Sequence, residues 1–405
     1  MKVNLIALLA LCLLLSSPAC KRGEGSEDFA LDQDWAAIEK AAKGTEVQMM
    51  MWQGDPLINR YIQEFVKPQL KERFQIDLRI ASGQGTQIVN LLLNEKQAGL
   101  RESAIDMAWI NGETFYQLRE LAALYGPFLK KLPNARLLDL DNPFIGRDFQ
   151  QNIEGMEAPW GNVQMTVIYN SAEVLTPPQD LSALGDFVKA NPGRFTIPSE
   201  FTGMTLLKSW MIGLFPPGYL EGDFNEERYR EARDRVFNWI ETHREYFWRQ
   251  GQTFPGSLAQ LHQLFANGEV YFTFSNNDTE VDNKIAQGIF PQNSRAYVFR
   301  SGTIQNSHYL GIVKRAQNKA GALVVINFLL SAEAQIEKLK PAVWGDGSTL
   351  NSEKLTAKQK QQFKAAGQRN YAPSRDSIAP YALPELAPEY MERLYNDFRT
   401  YIIEA

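Results

Sequence analysis

Apolar positions along this chain alternate between continuous runs of strand length and a three-to-four spacing of helical kind. Val47 to Trp52 is an apolar run that predicts a strand, and Ile58, Tyr61, Ile62, Phe65 and Leu70 predict a helix over Pro56 to Phe74. Ile76 to Ile80 reads as the next strand. After a loop containing Gly83 and Gly85, Thr86 to Ala98 reads as a helix with Ile88, Leu91 and Leu92 inward. The unit recurs at Ile105 to Ile110, a strand broken at Asn111 and Gly112 before a helix from Glu113 to Leu124. A short helix over Asp32 to Lys43 precedes them all. Alternation of this kind predicts a mostly parallel sheet with helices on both faces.

The pattern changes at Ala158 to Asn170, where Ala-Pro-Trp-Gly leads into a long strand through Val163, Met165, Val167 and Tyr169, and a crossing between two lobes is expected there. Beyond it, helices are predicted over Leu181 to Ala190, Thr205 to Leu214 and Glu226 to Phe247. Strands are predicted over Phe195 to Ile197 and Val270 to Phe274, the latter halted by Ser275, Asn276, Asn277 and Asp278. These segments suit a second α/β lobe. Strand patterning resumes over Ser301 to Val313, followed by helices over Ala316 to Leu330 and Ala332 to Lys340. Pro373, Pro380, Pro384 and Pro388 make the stretch from Tyr371 an extended belt, with Tyr381 and Leu383 as apolar anchors, before a last helix from Glu389 to Ile402. No internal repeat stands out.

A chain of 405 residues exceeds one ordinary core, which agrees with two lobes. Hydrophobic residues at 44% and charged residues at 22% fit a globular body and argue against long disorder or several membrane spans. The net charge of -5 supplies no basic field for phosphate backbones, so no nucleic-acid partner is expected. At the N-terminus, Lys2 precedes an apolar run from Val3 to Leu15 and then Ser16, Ser17, Pro18, Ala19 and Cys20, the architecture of an export signal. That run is shorter than the roughly 20 residues of a spanning helix. The only cysteines are Cys12 in the run and Cys20 at the expected cut, which removes disulfides, thiolate nucleophiles and cysteine metal sites from the mature body. Residues 1–20 are read as a signal peptide and residues 21–43 as a polar tether and short helix. Cys20 stands where a lipobox carries its lipidated thiol. Ser17 and Pro18 depart from the usual lipobox, so simple cleavage is the competing reading.

The segments from Val47 nearly to the C-terminus resemble the large family of extracytoplasmic solute-binding proteins that serve ABC importers. Ala158 to Asn170 is similar to that family's first crossover, and Pro177, Pro178, Asp180 and Leu181 to the linker and helix start that follow it. Asn191-Pro192-Gly193-Arg194-Phe195 resembles its approach to the next strand. Gly302 to Val313, with Ala316, Asn318, Lys319, Ala320 and Asn327 to Gln335, resembles the return crossover and its helix, while Trp344-Gly345-Asp346 points to a sub-branch without assigned cargo. The resemblance implies a two-lobed, type II periplasmic-binding-protein-like clamshell, each lobe a mostly parallel sheet flanked by helices. It implies residues 44–160 and 302–335 in the first lobe, and 161–301 and 336–405 in the second. It further implies a small-molecule solute in the cleft, ABC permease subunits as partners, a monomer, and a periplasmic or cell-surface location on a lipid anchor.

In open α/β sheets, ligands sit at the carboxyl ends of strands. Trp52, Gly54 and Asp55 follow the first strand. Asp55 precedes Pro56 at a helix start and is there a natural N-cap, while Trp52 is a stacking wall. Gly83, Gly85 and Thr86 offer backbone N–H groups suited to an anion, or form an ordinary turn. Asn111, Gly112 and Glu113 offer an amide and a carboxylate. In the second lobe Thr202 and Gly203 precede a helix, and Asn276, Asn277 and Asp278 end a strand, where turn formation explains them equally well. Trp160 and Tyr169 bracket the crossover as candidate cleft walls, and Trp344 is a candidate for closing it, although burial in the core is the favoured reading of such a tryptophan. If Asp55, Glu113 and Asp278 converge among these aromatic faces, the solute is cationic.

The chain lacks His-Glu-x-x-His, Gly-x-x-x-x-Gly-Lys-Ser/Thr and Gly-x-Ser-x-Gly motifs, so no enzyme is expected from those chemistries. His243, His262 and His308 are its only histidines and lie far apart, which argues against a histidine metal site, and no cofactor is expected. A sensory binding lipoprotein and an exported lipoprotein hydrolase are the alternatives to an importer component.

Overall fold

The computed structural model describes residues 31–404, so the expected signal peptide, Cys20 and most of the tether lie outside the described residues. The strands are β1 (Glu46–Met51), β2 (Asp77–Ser82), β3 (Met107–Ile110), β4 (Leu124–Tyr125), β5 (Arg147–Asp148), β6 (Gln151–Asn152), β7 (Glu157–Gln164), β8 (Thr166–Asn170), β9 (Phe272–Ser275), β10 (Ser294–Tyr297), β11 (Thr303–Val313) and β12 (Ala382–Leu383). The larger sheet runs β12-β11-β3-β1-β2, with β4 and β7 also paired to β11. Within it β1 is parallel to β2 and β3, and β11 turns antiparallel to β3. This is the parallel half-sheet that the alternating pattern implied.

The helix predicted over Pro56 to Phe74 is present but winds through a π-helical stretch, Tyr61–Val66, before the α-helix Lys67–Phe74. Pro68 has no N–H to give, and the wider turn before it absorbs the missing bond. Lys319–Leu329 is buried along its whole length, as a helix apolar on all sides must be. It packs on Trp35–Ala42 and fills the first core.

The long strand predicted over Ala158 to Asn170 is broken at Met165, whose N–H donates to Ile304 O at 2.9 Å. On one side β7 pairs with β11 from Gln164↔Gln305 to Glu157↔Gly311; on the other, β8 joins a separate sheet ordered β10-β8-β9. That second sheet is antiparallel throughout its ladders, so the parallel sheet expected in the second lobe is replaced by an antiparallel one. Phe195 to Ile197, expected as a strand, forms no regular element and belongs to no ladder. β10 was not apparent in the sequence because its residues, Ser-Arg-Ala-Tyr, carry no apolar run.

Buried apolar side chains form two clusters. One gathers Val47, Met107, Ile312 and Leu323; the other gathers Ile168, Leu207, Val236, Phe274 and Leu394. Two cores joined by crossing strands are the clamshell. The stretch after residue 335, assigned from sequence to the second lobe, divides: Trp344, Leu350 and Leu355 join the first cluster and Leu386 to Ile402 the second. The proline-rich belt carries a short helix, Arg375–Ile378, and β12 beside β11. Its expected anchor Tyr381 is 39% exposed, and Leu386 and Ala387 provide the apolar contact instead.

Candidate functional site

The carboxyl ends of β1, β2 and β3 bring three loops to one edge of the first lobe. After β1, Trp52 is 38% exposed and its ring lies over Gly54, where an added Cβ would sit 2.4 Å from the indole. Asp55 caps the Pro56–Arg60 helix, its Oδ1 accepting from the N–H groups of Leu57 at 2.7 Å and Ile58 at 3.3 Å. Its other oxygen receives Lys284 Nζ from the second lobe at 2.9 Å. After β2, Gly85 has φ +47 at the start of the Thr86–Gln97 helix, a conformation that favours glycine, and Thr86 is exposed. After β3, Asn111 Oδ1 accepts from Thr114 Oγ1 at 3.3 Å. Glu113, one turn on, stands beside Gly85: a Cβ added there would be 3.9 Å from Glu113 Oε1.

Glu113 is the one carboxylate of the three proposed to converge that has neither a hydrogen bond nor an ion pair among the described residues. Burial pushes its pKa up, opposed by the charge of Lys208 and reinforced by Glu392 and Glu385. In the second lobe, Glu200 caps the Phe201–Gly213 helix, accepting from Thr202 N at 3.0 Å. Burial raises Glu200 as well, against the bonds from Thr202 and Gly203. Tyr395 lies close enough to both carboxylates that burial, then Glu113 and then Glu200 hold its phenol protonated. Glu113 and Glu200 therefore both act on the half-buried Tyr395, and among the described residues neither carboxylate has an ion pair.

The remaining candidates have other work. Asp278, 2% exposed, takes Arg375 in a two-pronged bond at 3.0 and 2.7 Å and Arg369 at 3.2 Å, so it is neutralised within the protein. With Asp55 held by Lys284, the expected convergence of three free carboxylates fails, because basic residues distant in sequence already occupy two of them. Trp160, expected as a wall, is buried at 0% exposure in an aromatic cluster with Trp109 and His308, and Trp344, at 4% exposure, is core, the favoured reading of a tryptophan there; their ring centroids are 5.2 Å apart, edge to face. Neither presents a face to solvent. Tyr169 packs edge-on against Tyr297 on the neighbouring strand. Thr202 is buried with Oγ1 accepting from Asn276 Nδ2 at 3.3 Å, and Asn277 closes its own turn through Thr279 N while donating to Trp344 O at 3.3 Å. Two surface hollows of about 510 and 460 Å³ include none of these residues.

His243 stacks on Trp239, His262 bonds Thr273 at 2.8 Å, and His308 meets Asp346 at 3.1 Å, three separate surroundings. Asp346 also holds buried Lys338, whose pKa is lowered by burial against the attraction of Asp346. Sequence reading missed Glu200, Lys208, Lys284 and Tyr395. Only Glu200 carries a local signal, an acidic residue immediately before a helix.

Two α/β lobes joined by crossing strands, with strand-end loops of one facing helix ends of the other, define a solute-binding protein. The chain belongs to the family described as bacterial extracellular solute-binding protein, whose model matches residues 61–387. It is accordingly an extracellular solute-binding protein, and this family is one of binding proteins rather than of enzymes. Over 337 residues it is 35% identical to Protein YnjB of Escherichia coli (strain K12), covering 82% of this chain and 86% of that protein. Among solved structures, the Tp0655 (TpPotD) lipoprotein of Treponema pallidum aligns with a TM-score of 0.63 at 13% identity, over 89% of this chain and 100% of that one. The periplasmic binding protein AfuA of Actinobacillus pleuropneumoniae, solved with fructose-6-phosphate, aligns with a TM-score of 0.62 at 13% identity, over 89% and 99%. Iron-bound HitA of Pseudomonas aeruginosa aligns at 0.59 and 15% identity, over 87% and 99%. Their differing ligands show one fold serving different cargoes.

Proposed function

We propose that the solute is a small organic cation, an amine or quaternary ammonium compound, held between Glu113 of the first lobe and Glu200 of the second. Glu113 carries this reading: a half-buried carboxylate with no ion pair or hydrogen bond among the described residues is disfavoured in its charged form by its partial burial, and a cationic guest supplies the missing charge. Its position beside Gly85, at the start of the Thr86–Gln97 helix, puts a carboxylate near the N–H groups an anionic solute would need. Gripping from both lobes favours closure, because a solute stabilises the closed form only through contacts it makes in that form. The chain acts as a monomer without turning its solute over, and is attached to the membrane through Cys20. The sequence pattern around Cys20 and the lack of any other cysteine in the mature body support that attachment.

The test is a thermal-shift and calorimetric screen of amines, quaternary ammonium compounds, sugars, amino acids and oxyanions, since a ligand that binds only the folded protein raises its melting temperature. An amine is expected to stabilise the protein, and Glu113→Gln to weaken its binding at least about tenfold, the size of a lost charge-assisted hydrogen bond. Stabilisation by sugars or oxyanions alone, or undiminished amine affinity in E113Q, overturns the assignment.

A further inference from the structure

We propose that the short helix Glu280–Ala286 is a clasp that holds the lobes shut around the solute, with Asn283 and Lys284 as its positioning residues. Adjacent in sequence, they reach the first lobe at two points. Lys284 Nζ meets Asp55 Oδ2 at 2.9 Å, with side chains only 10% and 12% exposed. Asn283 Nδ2 donates to Trp344 O at 2.6 Å, and the same carbonyl takes a second, longer bond from Asn277. The anchoring of the two sides is separate. Val281 and Ile285 of the helix belong to the second core, while Ile58, beside Asp55, and Trp344 belong to the first. Rotation of one lobe about the crossing strands therefore parts both contacts and leaves each core whole.

The ammonium is aimed before it arrives. Glu280, one turn back on the same helix, lies 3.1 Å from Lys284 Nζ and is itself held by His262 Nε2 at 3.5 Å. The facing loop is shaped for close approach. Gly345 has φ +81, and a Cβ there would come within 2.6 Å of Thr279 Cγ2, so any other residue would wedge the lobes apart. Asp55 serves both sides, one oxygen capping its own helix and the other taking Lys284. The clasp rests on the solute-binding reading, since it matters only where lobes open and close. Its contribution to the closed form is independent of which solute is bound, and it adds to the apparent affinity of every cargo.

The test compares small-angle X-ray scattering of the solute-free full-length chain with that of Lys284→Met, Lys284→Arg and Asp55→Asn. Asparagine caps a helix as well as aspartate does, so D55N removes the ion pair and keeps the local fold. D55N and K284M are each expected to move the closed-to-open ratio about tenfold toward open, seen as a larger radius of gyration, with a similar rise in the solute dissociation constant. K284R, which keeps the charge, is expected to scatter like the parent. Unchanged scattering from natively folded K284M and D55N overturns the clasp, as does expansion of K284R to the same extent as K284M. If the solute-binding reading fails instead, no compound will shift the melting temperature of the parent. The solute-free scattering comparison still decides the clasp in that case.

Discussion

The first lobe meets its partner with strand ends, and the second meets it with helices. Because β1, β2 and β3 run in one direction, topology alone gathers Asp55, Gly85 and Glu113 at one edge. The antiparallel β10-β8-β9 sheet has no common carboxyl edge, so Glu200, Lys284 and Tyr395 come from three helices and reach the interface by side-chain length. The contrast extends to buried charge. The first lobe keeps a closed network of its own, Lys338 with Asp346 and His308, beneath the aromatic cluster. The second ties its charges to distant segments: Lys208 to Glu385 at 2.5 Å, and Asp278 to Arg375. A parallel half-sheet positions a site by its backbone, whereas the facing lobe positions its half through pairings between remote residues.

The largest effect expected from breaking this comparison comes from Lys338→Met. Removing the ammonium strands Asp346 at 1% side-chain exposure with only His308 beside it, a loss of about 3–5 kcal/mol. The damage is confined to the first lobe, so calorimetry of the variant beside the parent should show the first lobe melting earlier while the second keeps its melting temperature. A uniform shift of one undivided transition would show that the lobes do not hold their charges independently.

An intermediate effect is expected from acid. Burial pushes Glu280 up, but the close approach of His262 and the charge of Lys284 more than reverse it and hold the carboxyl at about 2, below its ordinary 4.5. A depressed carboxylate contributes stability that is present above the unfolded value and lost as pH falls through the folded one. About 2–3 kcal/mol should therefore disappear between pH 4.5 and 2, and Glu280→Gln should flatten that slope in pH-dependent denaturation. Glu113 and Glu200 run the other way: raised by burial, they favour the fold below their unfolded values and lose that contribution as pH rises. The smallest effect is expected at Leu175, 88% exposed on the second lobe, where Leu175→Ser should change stability by less than about 0.5 kcal/mol.

Most elements were legible in the sequence, because burial imposes its period on the residues it touches. The alternation of Val47, Met49 and Met51 and the inward row of Ile88 and Leu92 carry the sheet and helices of the first lobe. Asp55 was legible as a cap, since Pro56 follows it, but nothing near it announces Lys284, 229 residues away. Asp278 could be read only as a ligand candidate or a turn residue for the same reason, with Arg375 lying 97 residues downstream. Trp160 was misplaced because a tryptophan beside a strand looks the same in sequence whether it lines a cleft or fills a core.

The sequence by itself determined the strands and helices, the point at which the chain crosses between lobes, and the family to which it belongs. Each of these depends on short-range spacing or on runs of matching residues. Tertiary structure alone decided which carboxylates are neutralised and which stays bare, because charge pairing depends on distance in space between segments that only packing brings together. Of these three carboxylates Glu113 alone has no basic side chain within ion-pairing distance among the described residues, while Asp55 has Lys284 and Asp278 has both Arg369 and Arg375.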